Sequence, residues 1–324
     1  SIGSQLCLQI FSLKPKALII IDNSEFNLYK IKKEIENFRI DNIEVNFLLL
    51  NCNNEKQLIY EFSKYKVNIV FHSAAYKHVP LVEINPISGI KNNVFSTLAI
   101  CEASLKTKVS SVILISSDKA VRPTNIMGGT KFLSELIIKK FSQEKNINTK
   151  FAVVRFGNVI DSSGSVIPIF RDQIKNGGPL TLTDPKMERF FMTISEAVHL
   201  VLQASVLANG GETFILNMGN PVKIIDIAKR MIASAGLTIK DQKNRKGDIE
   251  IKIIGIKRGE KLNEELLYNG ATKNTLHPLI NKAEEKIKIP EELLEIIDEI
   301  IYLSNKNESN KALKLFFNLI QEYI

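Results

Sequence analysis

The sequence is short of the features that mark metal, disulfide, nucleic-acid and membrane proteins. Cysteine occurs only three times in 324 residues, at Cys7, Cys52 and Cys101, and never as C-x-x-C. So sparse and odd a count excludes a disulfide framework and suits a reducing compartment. The four histidines lack metal-ligand spacing. His72 and His78 are nearest, and no carboxylate or cysteine completes a set around them, so no metal is expected. No apolar run approaches the ~20 residues of a membrane span; Leu18–Ile21 and Val112–Ile115 are only strand-length. No secretory signal pattern opens the sequence. Aromatic residues are 7% of the chain and do not alternate with basic ones, as a single-strand nucleic-acid platform would require.

What is present is ordinary for a globular protein: 44% hydrophobic and 24% charged residues, in a chain long enough for a large core. The net charge of +8 comes from lysines interleaved with glutamates, as in "KIKKEIE" and "KAEEKIKIPEE". That scatter reads as a solvated surface, and no nucleic-acid partner is expected.

Short β-branched runs alternate with helical patterns through the first half. "ALIIID", "VNFLLLN", "NIVFHSAA", "SVILISS" and "KFAVVRFGN" read as strands; "SEFNLYKIKKEIENF", "NEKQLIYEFSKY", "NNVFSTLAICEASLK" and "NIMGGTKFLSELIIKKFS" lie between them with helical spacing. Continuous apolar strands belong in a sheet covered on both faces. The alternation argues for an α/β protein with a doubly wound parallel sheet. After Asn158 the texture turns to "SSGSVIPIF" and "NGGPLTLTDPKMERF", rich in turn residues, and the end from Pro290 is helical and charged. The division expected is a dinucleotide-binding domain of residues 1–160 plus about 188–220, with residues 161–187 plus 221–324 as a smaller α/β substrate lobe.

"SIGSQLCLQIF" reads as the end of a glycine-rich turn entering a helix. Asp22 follows Gly3 at close to the ~20-residue spacing of the acid that holds an adenosine ribose. Only the last glycine of such a fingerprint is there, so a plain helix start followed by a strand ending in Asp stands beside that reading.

The stretch "SSDKAVRPTNIMGGTK", Ser116 to Lys131, sets Asp118 beside Lys119 after a strand, with Met127 and Lys131 four apart on the next helix. Thr124 or Asn125 is placed to cap that helix, and its i, i+4 spacing puts Met127 and Lys131 on one face.

Together with "HSAAYKHVPLVEINP", "NNVFSTL", "RFGNV", "GSVIPIF", "TDPKMERFFMTI" and "KRGEKLNEELL", this stretch resembles the nucleotide-sugar 4,6-dehydratases of the extended short-chain dehydrogenase/reductase superfamily. More closely, the chain looks like the polysaccharide-biosynthesis branch that acts on UDP-N-acetylglucosamine. The matching segments follow the family's order over nearly the whole chain. Three departures stand out. The chain starts inside the family's G-x-x-G-x-x-G turn, which suggests a fragment lacking the first strand. Asn51 and Cys52 replace the usual pair beside the adenine, and Asp161 follows "GNVI".

The resemblance implies a Rossmann-type fold, bound NAD and an internal redox dehydration. Hydride leaves sugar carbon 4, a base takes the carbon 5 proton, an acid protonates the departing carbon 6 hydroxyl, and hydride returns to carbon 6. By that match Asp118 is the general acid and Lys119 the base. Burial and nearby cations such as Lys131 would favour the protonation states needed; the bland alternative is a surface Asp–Lys pair. Most of the superfamily has Tyr where Met127 stands. Methionine has no proton to exchange, so Met127 is read as a buried apolar residue and a subgroup mark. The carbon 4 hydroxyl is then expected to release its proton to Asp118, directly or through water, with Ser117 orienting it. Lys131 is expected at the nicotinamide ribose.

Further roles follow the same match. Ile2, Gly3, Asp22, Asn51, Cys52, Ala74, Ala75, Asn93 and Lys131 are the candidate cofactor contacts; Asn93 could equally be structural, and Asp22 favours NAD over NADP by repelling a 2′-phosphate. Lys77, His78, Asn158, Arg189, Arg258 and Glu260 are the candidate UDP-sugar contacts, the arginines as diphosphate partners. A homo-oligomer is expected. "YKHVPLVE" and "SEFNLYKI" look more like the carbon-5-retaining, membrane-anchored members, which places this part on the cytoplasmic side with no membrane contact of its own. A UDP-sugar 4-epimerase and a non-catalytic dinucleotide-binding module are the competing readings; an epimerase would not need Asp118 and Lys119.

Overall fold

In the computed structural model, which describes residues 1–38 and 43–321, the first helix α1 (Ile2–Ser12) leads into β1 (Ala17–Asp22). Helix α2 (Glu25–Glu36) starts where Ser24 accepts from the Asn27 N–H, and buries Leu28, Ile31 and Ile35 at helical spacing. β2 (Glu44–Leu49) follows, then α3 (Glu55–Tyr65), capped by Asn54, then β3 (Ile69–His72). Two short helices, α4 (Val79–Ile84) and α5 (Pro86–Ile90), run through a π-turn at Lys91–Phe95 into α6 (Ser96–Lys106). β4 (Ser111–Ile115), α7 (Ile126–Ser142) and β5 (Lys150–Arg155) complete the first half. Each apolar run quoted above contains one strand, and all of β4 is buried, as two covered faces demand.

The second half carries β6 (Asn158–Val159), α8 (Val166–Lys175), β7 (Leu180–Leu182), β8 (Glu188–Arg189) and β9 (Phe191–Met192). Then come α9 (Ile194–Leu207), which opens with a capping box of Thr193 and Glu196, β10 (Thr213–Leu216), β11 (Val222–Lys223) and α10 (Ile224–Ser234). The chain closes with β12 (Ile239–Lys240), β13 (Ile249–Ile253), β14 (Ala271–Asn274), β15 (Ile280–Glu284), α11 (Leu293–Asn305) and α12 (Ser309–Gln321).

The main sheet has the order β14-β15-β10-β5-β4-β3, parallel from β3 to β10 and antiparallel beyond. β1 and β2 form a separate parallel pair. Helix α1 packs against both pieces: Leu6 belongs to the cluster of Ile113, Ile115 and Val154, while Phe11 packs with Leu18 and Ile20. Its first turn meets the end of β3, for a Cβ on Gly3 would lie 3.0 Å from Ser73 Oγ.

The small lobe has its own core of Phe170, Leu180, Leu182, Met187, Ile224, Ala228, Ile232 and Ile249. The expected boundary of that lobe needs correction. Residues 271–284 extend the main sheet, and α11 and α12 bury Leu293, Ile297 and Phe316 in the main core beside Met127, Phe132 and Leu136. Both helices carry an apolar stripe, which their many charges obscure in the sequence. Among the described residues no helix is long and apolar enough to cross a membrane, and no cluster of His, Cys, Asp or Glu could hold a metal ion.

Candidate active site

The end of β4 turns through a single 3-10 turn, Asp118–Ala120, which points Asp118 inward. The Asp118 side chain is 0% exposed. Its Oδ1 accepts from Ser117 Oγ at 2.8 Å and from Lys119 Nζ at 2.9 Å, while the buried Oδ2 has no partner. Lys119 Nζ also donates to Asn158 Oδ1 at 3.2 Å. The two neighbours thus turn towards one another, Asp118 fully buried and Lys119 partly exposed, with Asn158 joining them from β6. A Cβ on Gly157 would lie 3.0 Å from Asp118 Oδ2, so a side chain there would crowd that oxygen.

Helix α7 presents the next two groups. Asn125 caps it, accepting from the Gly128 N–H at 2.8 Å. Met127 is buried in the main apolar core, the place its side chain was expected to take. Lys131 is buried too, and Nζ donates to the Ile115 carbonyl at 2.6 Å. Burial pulls this amine down to about 8, against the opposing pull of Glu135 one turn on. Glu135 in turn accepts from Ser116 Oγ at 2.5 Å and forms a two-pronged pair with Arg155, whose Nε and Nη2 approach it at 2.9 and 2.5 Å.

Other candidates gather at two corners of the same end of the sheet. Asp22 ends β1, its Oδ1 accepting from the Ser24 N–H at 2.8 Å. Burial, reinforced by the charge of Asp22, pushes the Cys52 thiol up to about 11. The half-buried Cys7 thiol is likewise pushed up by burial, to about 12. Ile2 packs on the core near Leu6, and Asn51 accepts from the Asn53 N–H. Ala74 and Ala75 lie in the coil after β3. Asn93 fixes that coil, bonding the Tyr76 N–H at 2.7 Å, the Tyr76 carbonyl at 3.0 Å and Thr130 Oγ1 at 2.8 Å. Burial and then the charge of Lys119 hold the Lys77 amine low. The His78 ring crosses Gly164, where a Cβ would meet it at 2.5 Å.

Of the remaining candidates, Arg258 and Glu260 sit on the loop between β13 and β14, and Arg189 ends β8. Thr124 Oγ1 and Asn125 Nδ2 donate to the Gly259 carbonyl at 2.8 and 2.9 Å, and Lys261 Nζ donates to the Val121 carbonyl at 2.8 Å. Arg258 is exposed on this loop, and Glu260 accepts from the Lys257 N–H. Arg189 does not offer its fork to an open cleft. Nη1 donates to the carbonyls of Glu188 and Leu262 and Nη2 to that of Lys261, all within 2.8 Å.

The fastened loop brings in a residue that sequence reasoning missed. Glu264, with 5% of its side chain exposed, sets Oε1 4.0 Å from Lys119 Nζ and 3.8 Å from Arg189 Nη2. It lines a cavity of about 470 Å³ walled by Phe190, Leu216, Met218, Leu266 and Thr272. Its only sequence signal was membership of "KLNEELL", which does not single it out from Glu265.

This is the architecture of Rossmann-type nucleotide-sugar enzymes. The structure titled Pen from Bacillus thuringiensis superposes with a TM-score of 0.73 at 36% identity, covering 82% of this chain and 78% of that one. DesIV, a dTDP-glucose 4,6-dehydratase from Streptomyces venezuelae solved with NAD and TYD bound, shares the fold at a TM-score of 0.67 and 17% identity, covering 82% of this chain and 84% of its own. The chain belongs to the polysaccharide biosynthesis protein family, whose model matches residues 1–285. It is 41% identical over 319 residues to the capsular polysaccharide biosynthesis protein CapD of Staphylococcus aureus, covering 97% of this chain and 51% of that protein. A UDP-glucose 4-epimerase of Rickettsia rickettsii is 38% identical over 78% of this chain and 71% of its own length. The chain thus spans about half the length of CapD.

Proposed function

We propose that this chain is the catalytic part of an NAD-dependent UDP-N-acetylglucosamine 4,6-dehydratase, a hydro-lyase for surface polysaccharide synthesis. The observation that carries the reading is the inward-facing Asp118–Lys119 pair with one orphaned carboxylate oxygen. An elimination needs an acid and a base at adjacent ring carbons, and a simple epimerisation does not.

The residues present fit NAD. The contact of Gly3 with Ser73 lets the first turn of α1 approach β3 closely, as a dinucleotide turn requires. Asp22 stands at a strand end to accept ribose hydroxyls, and Lys131 reaches from α7 towards the carbonyl of Ile115 at the end of β4. When bound, NAD supplies the reversible hydride acceptor.

Lys119 Nζ takes the proton from sugar carbon 5 and gives a proton back there once carbon 6 has been reduced, with Asn158 holding the amine in place. Asp118, through the free Oδ2, gives a proton to the carbon 6 hydroxyl as it leaves as water. Ser117 fixes the carboxylate by donating to Oδ1, which leaves Oδ2 without a protein donor. Met127 takes no proton. The carbon 4 hydroxyl passes its proton to Asp118, so the same group is loaded before it acts as acid. Lys131 holds positive charge near the developing oxyanion.

The similarity to a UDP-glucose 4-epimerase supports a second reading, reversal of configuration at carbon 4. Incubating the purified protein with UDP-N-acetylglucosamine and following the sugar by NMR separates them. A 4-keto-6-deoxy product with a new methyl signal is expected. A product differing only at carbon 4 would replace the dehydratase with the epimerase, and an unchanged sugar would remove both.

A further inference from the structure

Two carboxylate oxygens in this corner have no hydrogen-bond partner: Asp118 Oδ2 and Glu264 Oε2, both buried. A buried acceptor left unmade costs about 1–3 kcal/mol, more when charged, so such oxygens mark places where a ligand donor belongs. The two residues are linked through Lys119, whose Nζ lies 2.9 Å from Asp118 Oδ1 and 4.0 Å from Glu264 Oε1. They also share neighbours. Phe190 and Met218 wall the cavity that Glu264 lines, and the same two side chains crowd Gly157, which abuts Asp118 Oδ2.

Building on the nucleotide-sugar reading, we infer that Glu264 is a substrate-contact residue: its Oε2 accepts a hydrogen bond from a ring hydroxyl or the acetamido N–H of the hexose whose carbon 6 hydroxyl meets Asp118. The chemistry of the ligand follows from the acceptors. Two unpartnered carboxylate oxygens, both linked through Lys119, call for a ligand with two or more donors and no negative charge there, which a hexose ring provides and a phosphate does not. Arg189 and Lys119 lie on the Oε1 side of Glu264, too far for hydrogen bonds, so they offset its charge without occupying Oε2. Burial holds the Glu264 carboxyl above its usual range, against the pull of Lys119, as fits an acceptor still waiting for its donor. The apolar wall of Phe190, Leu216 and Met218 gives the ring a face to rest on.

The test is calorimetric binding of UDP-N-acetylglucosamine, its 3-deoxy and 4-deoxy analogues and UDP-2-deoxyglucose to wild-type protein, Glu264→Ala and Glu264→Gln. Wild type should lose about ten- to hundredfold in affinity for one of the three analogues. Glu264→Ala should lose a similar factor for the parent sugar and nothing further for that analogue. Glu264→Gln keeps the volume and an acceptor oxygen, so it should retain the discrimination at reduced strength; thermal unfolding of each variant verifies its fold. Wild-type affinity in Glu264→Ala, or equal losses for every analogue in all three proteins, would overturn the inference. Failure of wild type to bind UDP-N-acetylglucosamine at all would instead remove the functional reading beneath it.

Discussion

Two clusters of buried charge lie at this end of the sheet, and they are finished differently. Around Arg155 everything is paired. Its guanidinium bonds both oxygens of Glu135 and both of Glu285, and the Leu266 carbonyl. Ser116 and the Tyr268 N–H take further places on the two carboxylates. Around Asp118 the pairing stops short, with orphaned oxygens on Asp118 and Glu264. A closed network fixes architecture, here tying β5 and α7 to the segment after β15. An open one keeps bonding capacity for something that comes and goes.

Substitutions should separate the two roles. Asp118→Asn is expected to lower turnover by about 10²–10⁴-fold while leaving unfolding stability unchanged, measured by product NMR and by urea denaturation on one preparation. A large stability loss with retained turnover would erase the contrast. Arg155→Ala should do the reverse first, destabilising the fold by about 3–5 kcal/mol because two carboxylates stay buried without their cation. Exchanging Arg155, Glu135 and Glu285 together for apolar residues should recover most of that loss; if it does not, the network is more than architectural.

His72 sharpens the comparison from a third position. It is buried with Nε2 3.0 Å from Thr97 Oγ1, and burial, then the charge of Lys131, pulls it down to about 3. Its folded-state value lies below the unfolded one, so the unfolded chain takes up the proton first as pH falls. Stability is therefore full above about 6.5 and should fall by about 1.4 kcal/mol per pH unit from there towards 3. His72→Gln should flatten that slope in urea titrations between pH 7 and pH 5. The smallest effect expected is that of Asn125→Ala, about 1 kcal/mol for the lost cap of α7, read from the same titrations.

Much of the molecule was legible beforehand, and the reasons are local. The run "SVILISS" contains a strand because its apolar residues are continuous, and Asn125 caps α7 because its side chain reaches an N–H three residues on. Met127 was expected in the core and lies there, since no proton-bearing atom forces it elsewhere. Glu264 was hidden because its meaning depends on a loop fastened at Gly259 and Lys261, more than a hundred residues from Lys119. Arg189 looked like a phosphate fork in "KMERF"; the same loop supplies carbonyls that its Nη groups bond. The return of α11 and α12 to the main core was masked by their charged faces.

The order of strands and helices, the caps, and the adjacency of Asp118 and Lys119 were settled by the sequence itself, because each rests on contacts within a few residues. Which buried charges are completed and which are left open was settled only by tertiary packing. A hydrogen bond needs its partner within about 3 Å, and for Arg155, Arg189 and Glu264 that partner comes from a distant part of the chain or, for Glu264 Oε2, from no part of the described chain.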